Sequence, residues 1–223
     1  LPELRIDTPC GQVVSKYDAR GDDGFDVSFI GVPSFVLAAN QILDLPDYGQ
    51  IRYSIAYGGA FYAYVDASQI NLRLDQDNVQ EINFLGRLIK KLITASDVSI
   101  THPFEADLSF LYGVIFESRH KGNSVFAKNV CVFADGEIDR SPTGSGVCGN
   151  LGILHREKTI GKGEKIIFES IINSQFRGSV MKETTFGNIP AVIPQVEGTA
   201  FITGLHTFLL DSQDPFGGGF LVR

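Results

Sequence analysis

Short β-prone stretches recur along the whole chain, and none runs far before a glycine, a proline or an Asx–Gly pair interrupts it. Such punctuation builds sheets joined by tight turns. Strands are expected at residues 5–17, with a Pro9-Cys10-Gly11 turn inside, and at 25–30, 34–38, 52–55 and 60–65. The last two flank Gly58-Gly59, a hairpin or close-approach signal. Further strands are expected at 110–116, 130–133, 165–170, 179–181, 190–196, 198–203 and 206–210. One helix is clear, because Val79, Ile82, Leu85, Leu88, Ile89, Leu92 and Ile93 share a face at 3.6-residue spacing. Asp77, with Gln80 three residues on, reads as its N-cap. Shorter helices are expected at 39–43 and from Gly144 to about Lys158. Many strands and few helices, without βαβα alternation, give an α+β chain.

Composition narrows the function classes. At 43% hydrophobic and 20% charged, the chain has enough apolar surface to build a core. A net charge of −7 argues against a nucleic-acid partner. The longest uncharged run, residues 27–43, carries Pro33, Ser34, Asn40 and Gln41, which makes it too polar to span a bilayer. The first residues, Leu1-Pro2-Glu3-Leu4-Arg5, have no apolar core of a secretory leader. Three scattered cysteines (Cys10, Cys131, Cys148) suit a reducing compartment, so a cytoplasmic location is expected.

His102, His120, His155 and His206 show no ligand spacing, and no CxxC pair exists, so no metal site is expected. The glycine-rich runs lack the Lys-Ser/Thr of a phosphate-binding loop and read mostly as turns. Asp139-Arg140-Ser141-Pro142-Thr143-Gly144-Ser145-Gly146-Val147 is different: it follows an apolar strand and opens a helix-like stretch, with Thr143 placed to cap it. Small residues there let an anion approach the orphan N–H groups of a helix N-terminus. A capped loop-to-helix junction explains the spacing equally well.

The same segment resembles the second active-site motif of the proline racemase family, which in racemases and hydroxyproline epimerases carries Cys where Thr143 stands. The threonine form is similar to the trans-3-hydroxy-L-proline dehydratase branch. Further matches follow in family order: Asp7-Thr8-Pro9-Cys10-Gly11, Val32-Pro33-Ser34-Phe35-Val36, Ala56-Tyr57-Gly58-Gly59-Ala60-Phe61, Gly198-Thr199-Ala200-Phe201 and Asp214-Pro215-Phe216-Gly217-Gly218-Gly219. The resemblance implies a hydro-lyase that dehydrates trans-3-hydroxy-L-proline to a pyrroline-2-carboxylate, with no metal or organic cofactor. Thr143 would be the catalytic-motif residue, the Gly144 and Ser145 amides would hold the substrate carboxylate, and Asp139 would lie near the ring nitrogen. Proline racemase and 4-hydroxyproline epimerase are the alternatives. The implied fold is a diaminopimelate epimerase-like pair of lobes, each with curved, mostly antiparallel sheets around a central helix. Residues 1–19 and 186–223 would belong to an incomplete first lobe and 20–185 to the second, and a homodimer is implied.

Two departures stand against that likeness. The family's thiolate base lies in a Met-Cys-Gly-His motif that this sequence does not contain. Cys10 is not read as its replacement, because its neighbours match a later, non-catalytic strand. In Val147-Cys148-Gly149-Asn150 the glycines and Asn replace better helix formers, and Cys148 reads as a small core residue. A remnant that binds an imino acid without turnover is therefore the second expectation.

Overall fold

A computed structural model describes residues 2–21, 24–120 and 124–219. Its strands are β1 (Glu3–Thr8), β2 (Gly11–Ala19), β3 (Phe25–Ile30), β4 (Ser34–Leu45), β5 (Gly49–Tyr57), β6 (Phe61–Asp66), β7 (Leu111–Arg119), β8 (Ala127–Phe133), β9 (Glu137–Ile138), β10 (Lys165–Glu169), β11 (Gln175–Phe186) and β12 (Ile189–Ala200). Its α-helices are α1 (Val79–Thr94) and α2 (Gly144–Arg156). The sheet runs β1-β2-β3-β12-β11-β10-β8-β7-β6-β5-β4, and β4 returns to β12 through Phe35 opposite Ala191. Eight strands thus close on themselves, while β1–β3 extend the sheet from the far half of β12. Pairing is antiparallel except at β6–β7 and β8–β10. Parallel neighbours need a crossover, and these two contain α1 and α2.

Helix α2 fills the closed sheet. Gly146 through Leu154 are all buried, so it has no polar face, the pattern of a core helix. Four glycines would make it a poor helix in isolation, at about 1 kcal/mol each relative to Ala. Burial on every side supplies what propensity lacks. Helix α1 is amphipathic and lies against β7 and β8, burying Ile82, Leu85, Gly86, Ile89 and Ile93.

Several expectations are corrected. Residues 39–43 are not helical: they lie in β4, where Asn40 at φ 53° and two register shifts break the alternation that marks a strand. Asp77 does not cap α1. Asn78 precedes the helix, and Asp75 accepts from the Asn78 N–H at 3.2 Å to cap a 3₁₀ turn that leads into it. Residues 198–200 continue β12, and 206–210 form no strand, because no neighbouring strand pairs with them. Gly144, Gly146, Gly149 and Gly152 stand in α2 rather than in turns. The Gly58-Gly59 signal holds in both senses: it joins β5 to β6 and meets α2 closely. A Cβ on Gly58 would lie 2.2 Å from the Ser145 carbonyl oxygen.

Candidate active site

The 139–146 segment folds as one hydrogen-bonded unit at the mouth of α2. Asp139 accepts from the Ser141 N–H at 2.8 Å and from the Thr143 hydroxyl at 2.9 Å, so both carboxylate oxygens are engaged. The Thr143 N–H donates to Ser141 Oγ at 3.1 Å. Thr143 is buried and occupies the N-cap position at φ 67°, ψ 105°. A β-branched residue in that region is strained by about 1–3 kcal/mol and persists only where its surroundings hold it. Its side chain makes no cap bond. Val147 is the first N–H of α2 to find an acceptor, the Thr143 carbonyl at 2.7 Å. The N–H groups of Gly144, Ser145 and Gly146 have none among the described residues. Free donors and the helix dipole together favour a negative group at this end.

Ser145 faces outward from that unit. Phe29 sits 3.1 Å from where a Gly144 Cβ would be. Ser145 lines a cavity of about 320 Å³ with Ile6, Thr8, Cys10, Val13, Phe29, Gly31, Val32, Gly58 and Gly59. Apolar walls with a few polar groups suit a small organic ligand. Asp139, Thr143 and Gly144 are not among the lining residues, so of the four predicted residues only Ser145 meets this cavity.

The structure brings Cys10 into this cavity, which the sequence did not foretell. Cys10 Sγ lies 3.2 Å from a Cβ built on Gly59, and Ser145 Cβ lies 3.5 Å from the same point. Thr8 Oγ1 is 3.1 Å from the Cys10 sulfur and donates to the Gly11 carbonyl at 2.6 Å, so the thiol supplies the proton between the two side chains. Cys148 is fully buried in the core, as expected, and burial pushes its thiol well above the usual range. Burial also pushes the Cys131 thiol up to about 12, against the opposing effect of a bond to Thr143.

Two tyrosines also went unread in the sequence. Tyr62 Oη lies 2.8 Å from Ser145 Oγ, and the Tyr64 hydroxyl donates to the Gly146 carbonyl at 2.7 Å. The period-2 spacing of Phe61-Tyr62-Ala63-Tyr64-Val65 could have placed both on one face of a strand. Only the wrapping of the sheet shows that this face meets α2.

A helix enclosed by a sheet, with its N-terminus facing a small cavity, is the lobe architecture of the diaminopimelate epimerase-like proteins. The sequence pattern of proline racemase matches residues 1–221, and the chain belongs to the proline racemase family. It is 43% identical over its full length to a trans-3-hydroxy-L-proline dehydratase of Colwellia psychrerythraea, spanning 62% of that protein. A 3-hydroxyproline 2-epimerase of Burkholderia multivorans is 38% identical, again over the full chain and 67% of the relative. The chain thus spans about two-thirds of the length of these relatives. Among solved structures, a hydroxyproline epimerase from Agrobacterium vitis with bound trans-4-hydroxy-L-proline superposes at a TM-score of 0.88. The two are 32% identical, over 99% of this chain and 63% of the other.

Proposed function

We propose that this chain carries half of the active site of a hydro-lyase that converts trans-3-hydroxy-L-proline to a pyrroline-2-carboxylate. The observation that carries this reading is Thr143 at the mouth of α2, its hydroxyl committed to Asp139. Removing the α-proton of an imino acid moves negative charge onto the carboxylate, and fixed N–H donors stabilise such charge as it develops. The free N–H groups of Gly144 and Ser145 suit that role. Asp139 is assigned to the neighbourhood of the ring nitrogen, and its engaged oxygens keep it in place. Amides and a fixed dipole meet the demand of this chemistry without a metal or an organic cofactor.

Epimerisation needs a base on each face of the α-carbon. A threonine hydroxyl offers no accessible anion near neutral pH. In trans-3-hydroxy-L-proline the carboxylate and hydroxyl lie on opposite ring faces, so the α-hydrogen and hydroxyl share one face. A single acid–base group on that face can take the α-proton and return a proton to the departing hydroxide. The C–H pair becomes the ring double bond as C–O breaks, and water leaves. The family's thiol, which this sequence lacks, fits that single role.

Epimerase activity is the second reading, supported by the names of the Burkholderia multivorans and Agrobacterium vitis proteins. Thr143 sets it below dehydration. The assignment of residues 1–19 and 186–223 to a first lobe and of 20–185 to a second is part of the same reading. The position of β1 and β2 outside the closed sheet supports the first segment, whereas β3 in that extension and β12 in the closed sheet speak against the bounds at 20 and 186. A cytoplasmic homodimer also belongs to this proposal. No helix among the described residues is long and apolar enough to cross a membrane. Mass spectrometry coupled to chiral chromatography of products from trans-3-hydroxy-L-proline, trans-4-hydroxy-L-proline and L-proline tests the activity. Loss of one water from the first alone is the expected result; inversion of the second without loss of water would favour the epimerase.

A further inference from the structure

The hydroxyl pair between β6 and α2 has a direction that the burial of Tyr62 sets. Tyr62 is buried, and burial, reinforced by the nearby Cys131 thiol, holds its hydroxyl protonated well above the ordinary tyrosine range. A buried O–H must donate, since an unmade bond there costs the full desolvation of the group. Its partner among the described residues is Ser145 Oγ, at 2.8 Å. The Ser145 oxygen therefore accepts, and its own hydrogen is left to point elsewhere. Ser145 is half-buried on the wall of the α2 cavity. There Thr8 has already given its hydrogen to the Gly11 carbonyl, and the Cys10 thiol is taken up by Thr8. The remaining side-chain donor on that wall is the Ser145 hydroxyl.

We propose that Tyr62 is a positioning residue that turns the Ser145 hydroxyl into a fixed donor aimed at the cavity, where it recognises the carboxylate of a small cyclic acid. The proposal rests on the hydro-lyase reading for the place of the carboxylate and adds to it the residue that orients its ligand. Tyr64 works beside it on the backbone: its bond to the Gly146 carbonyl holds the first turn of α2 against β6. The pair binds both the side chain and the main chain of the helix mouth to one strand. An acceptor-only group is favoured in the cavity, and a ligand presenting an amide N–H at the same point is disfavoured, because it would meet another donor.

Calorimetric titration with pyrrole-2-carboxylate and pyrrole-2-carboxamide tests this, on the wild type, Tyr62→Phe, Ser145→Ala and the double variant. The expected outcome is binding of the carboxylate by the wild type and weakening by about tenfold in either single variant. The double variant should be no weaker than Ser145→Ala, because Tyr62 acts only through Ser145. Preference for carboxylate over carboxamide should shrink in both single variants. Additive losses in the double variant, with unchanged ligand preference in Tyr62→Phe, would overturn the positioning role while leaving the hydro-lyase reading intact. A wild type that binds neither probe yet eliminates water from the substrate would overturn the carboxylate assignment alone. No binding and no turnover would overturn both. A melting curve of Tyr62→Phe separates loss of fold from loss of orientation. If that variant does not fold, the altered ligand preference of Ser145→Ala decides the matter.

Discussion

Thr143 concentrates the chemical argument in one side chain. It sits in a backbone region that a β-branched residue avoids, and its hydroxyl is held by Asp139. Replacing it with cysteine restores a second acid–base group of the kind that the epimerase branch uses. In a full-length enzyme that supplies the family's other thiol, Thr143→Cys should therefore exchange the α-proton and release epimerised hydroxyproline, measured by chiral chromatography; an unchanged product mixture would contradict the two-base argument. His102 offers a test on stability. Its Nδ1 accepts the N–H groups of Phe104 and Glu105, at 3.3 and 2.9 Å, and burial lowers its pKa. A base that is harder to protonate folded than unfolded loses stability as pH falls through the unfolded value of about 6.5. Melting temperature should drop between pH 7 and 5, and His102→Asn, which keeps an acceptor but cannot titrate there, should flatten that drop.

Helix α2 shows why its glycines are where they are. A Cβ on Gly149 would stand 2.3 Å from Tyr64 Oη, a hydroxyl fixed by its bond to Gly146, so the helix and β6 approach only because that side chain is missing. Gly152 differs: its Cβ would meet the Ser34 carbonyl oxygen at an ordinary 3.6 Å. Gly152→Ala should gain about 1 kcal/mol of helix propensity and raise Tm by about 2–4 °C. Gly58→Ala drives a methyl into the backbone of α2, 2.4 Å from the Gly149 nitrogen. Overpacking of that kind costs about 3 kcal/mol, and Tm should fall by about 6–12 °C. Equal melting temperatures for the two variants would contradict this account of the packing. Periodicity revealed α1, since one apolar stripe faces the sheet, and turn chemistry revealed β3 to the residue. It failed at residues 39–43, where a bulge displaces the alternation, and at Asp77, because a 3₁₀ turn precedes the helix. The cavity was illegible for a related reason: Cys10, Gly59, Phe29 and Ser145 meet only through long-range strand pairing.

At the scale of the molecule, one closed sheet gives α2 a fully buried body and an open mouth. Beyond β12 the apolar side chains of Leu205, Phe208, Leu209 and Leu210 stand 88–97% exposed. Exposed apolar side chains so close together in sequence favour association. Sedimentation of this chain at micromolar concentration should show self-association that truncation after Ala200 abolishes; a monomer in both forms would contradict it. The sequence motifs pointed to family and chemistry together, yet the catalytic claim depends on which bond breaks. Proton NMR of trans-3-hydroxy-L-proline in D2O, with the protein that contains this chain, reads that directly. The account predicts loss of the C3 hydroxyl-bearing resonance and growth of the pyrroline product, with no deuterated 3-hydroxyproline epimer accumulating. Deuterium appearing at the α-carbon of an intact, epimerised hydroxyproline would contradict it.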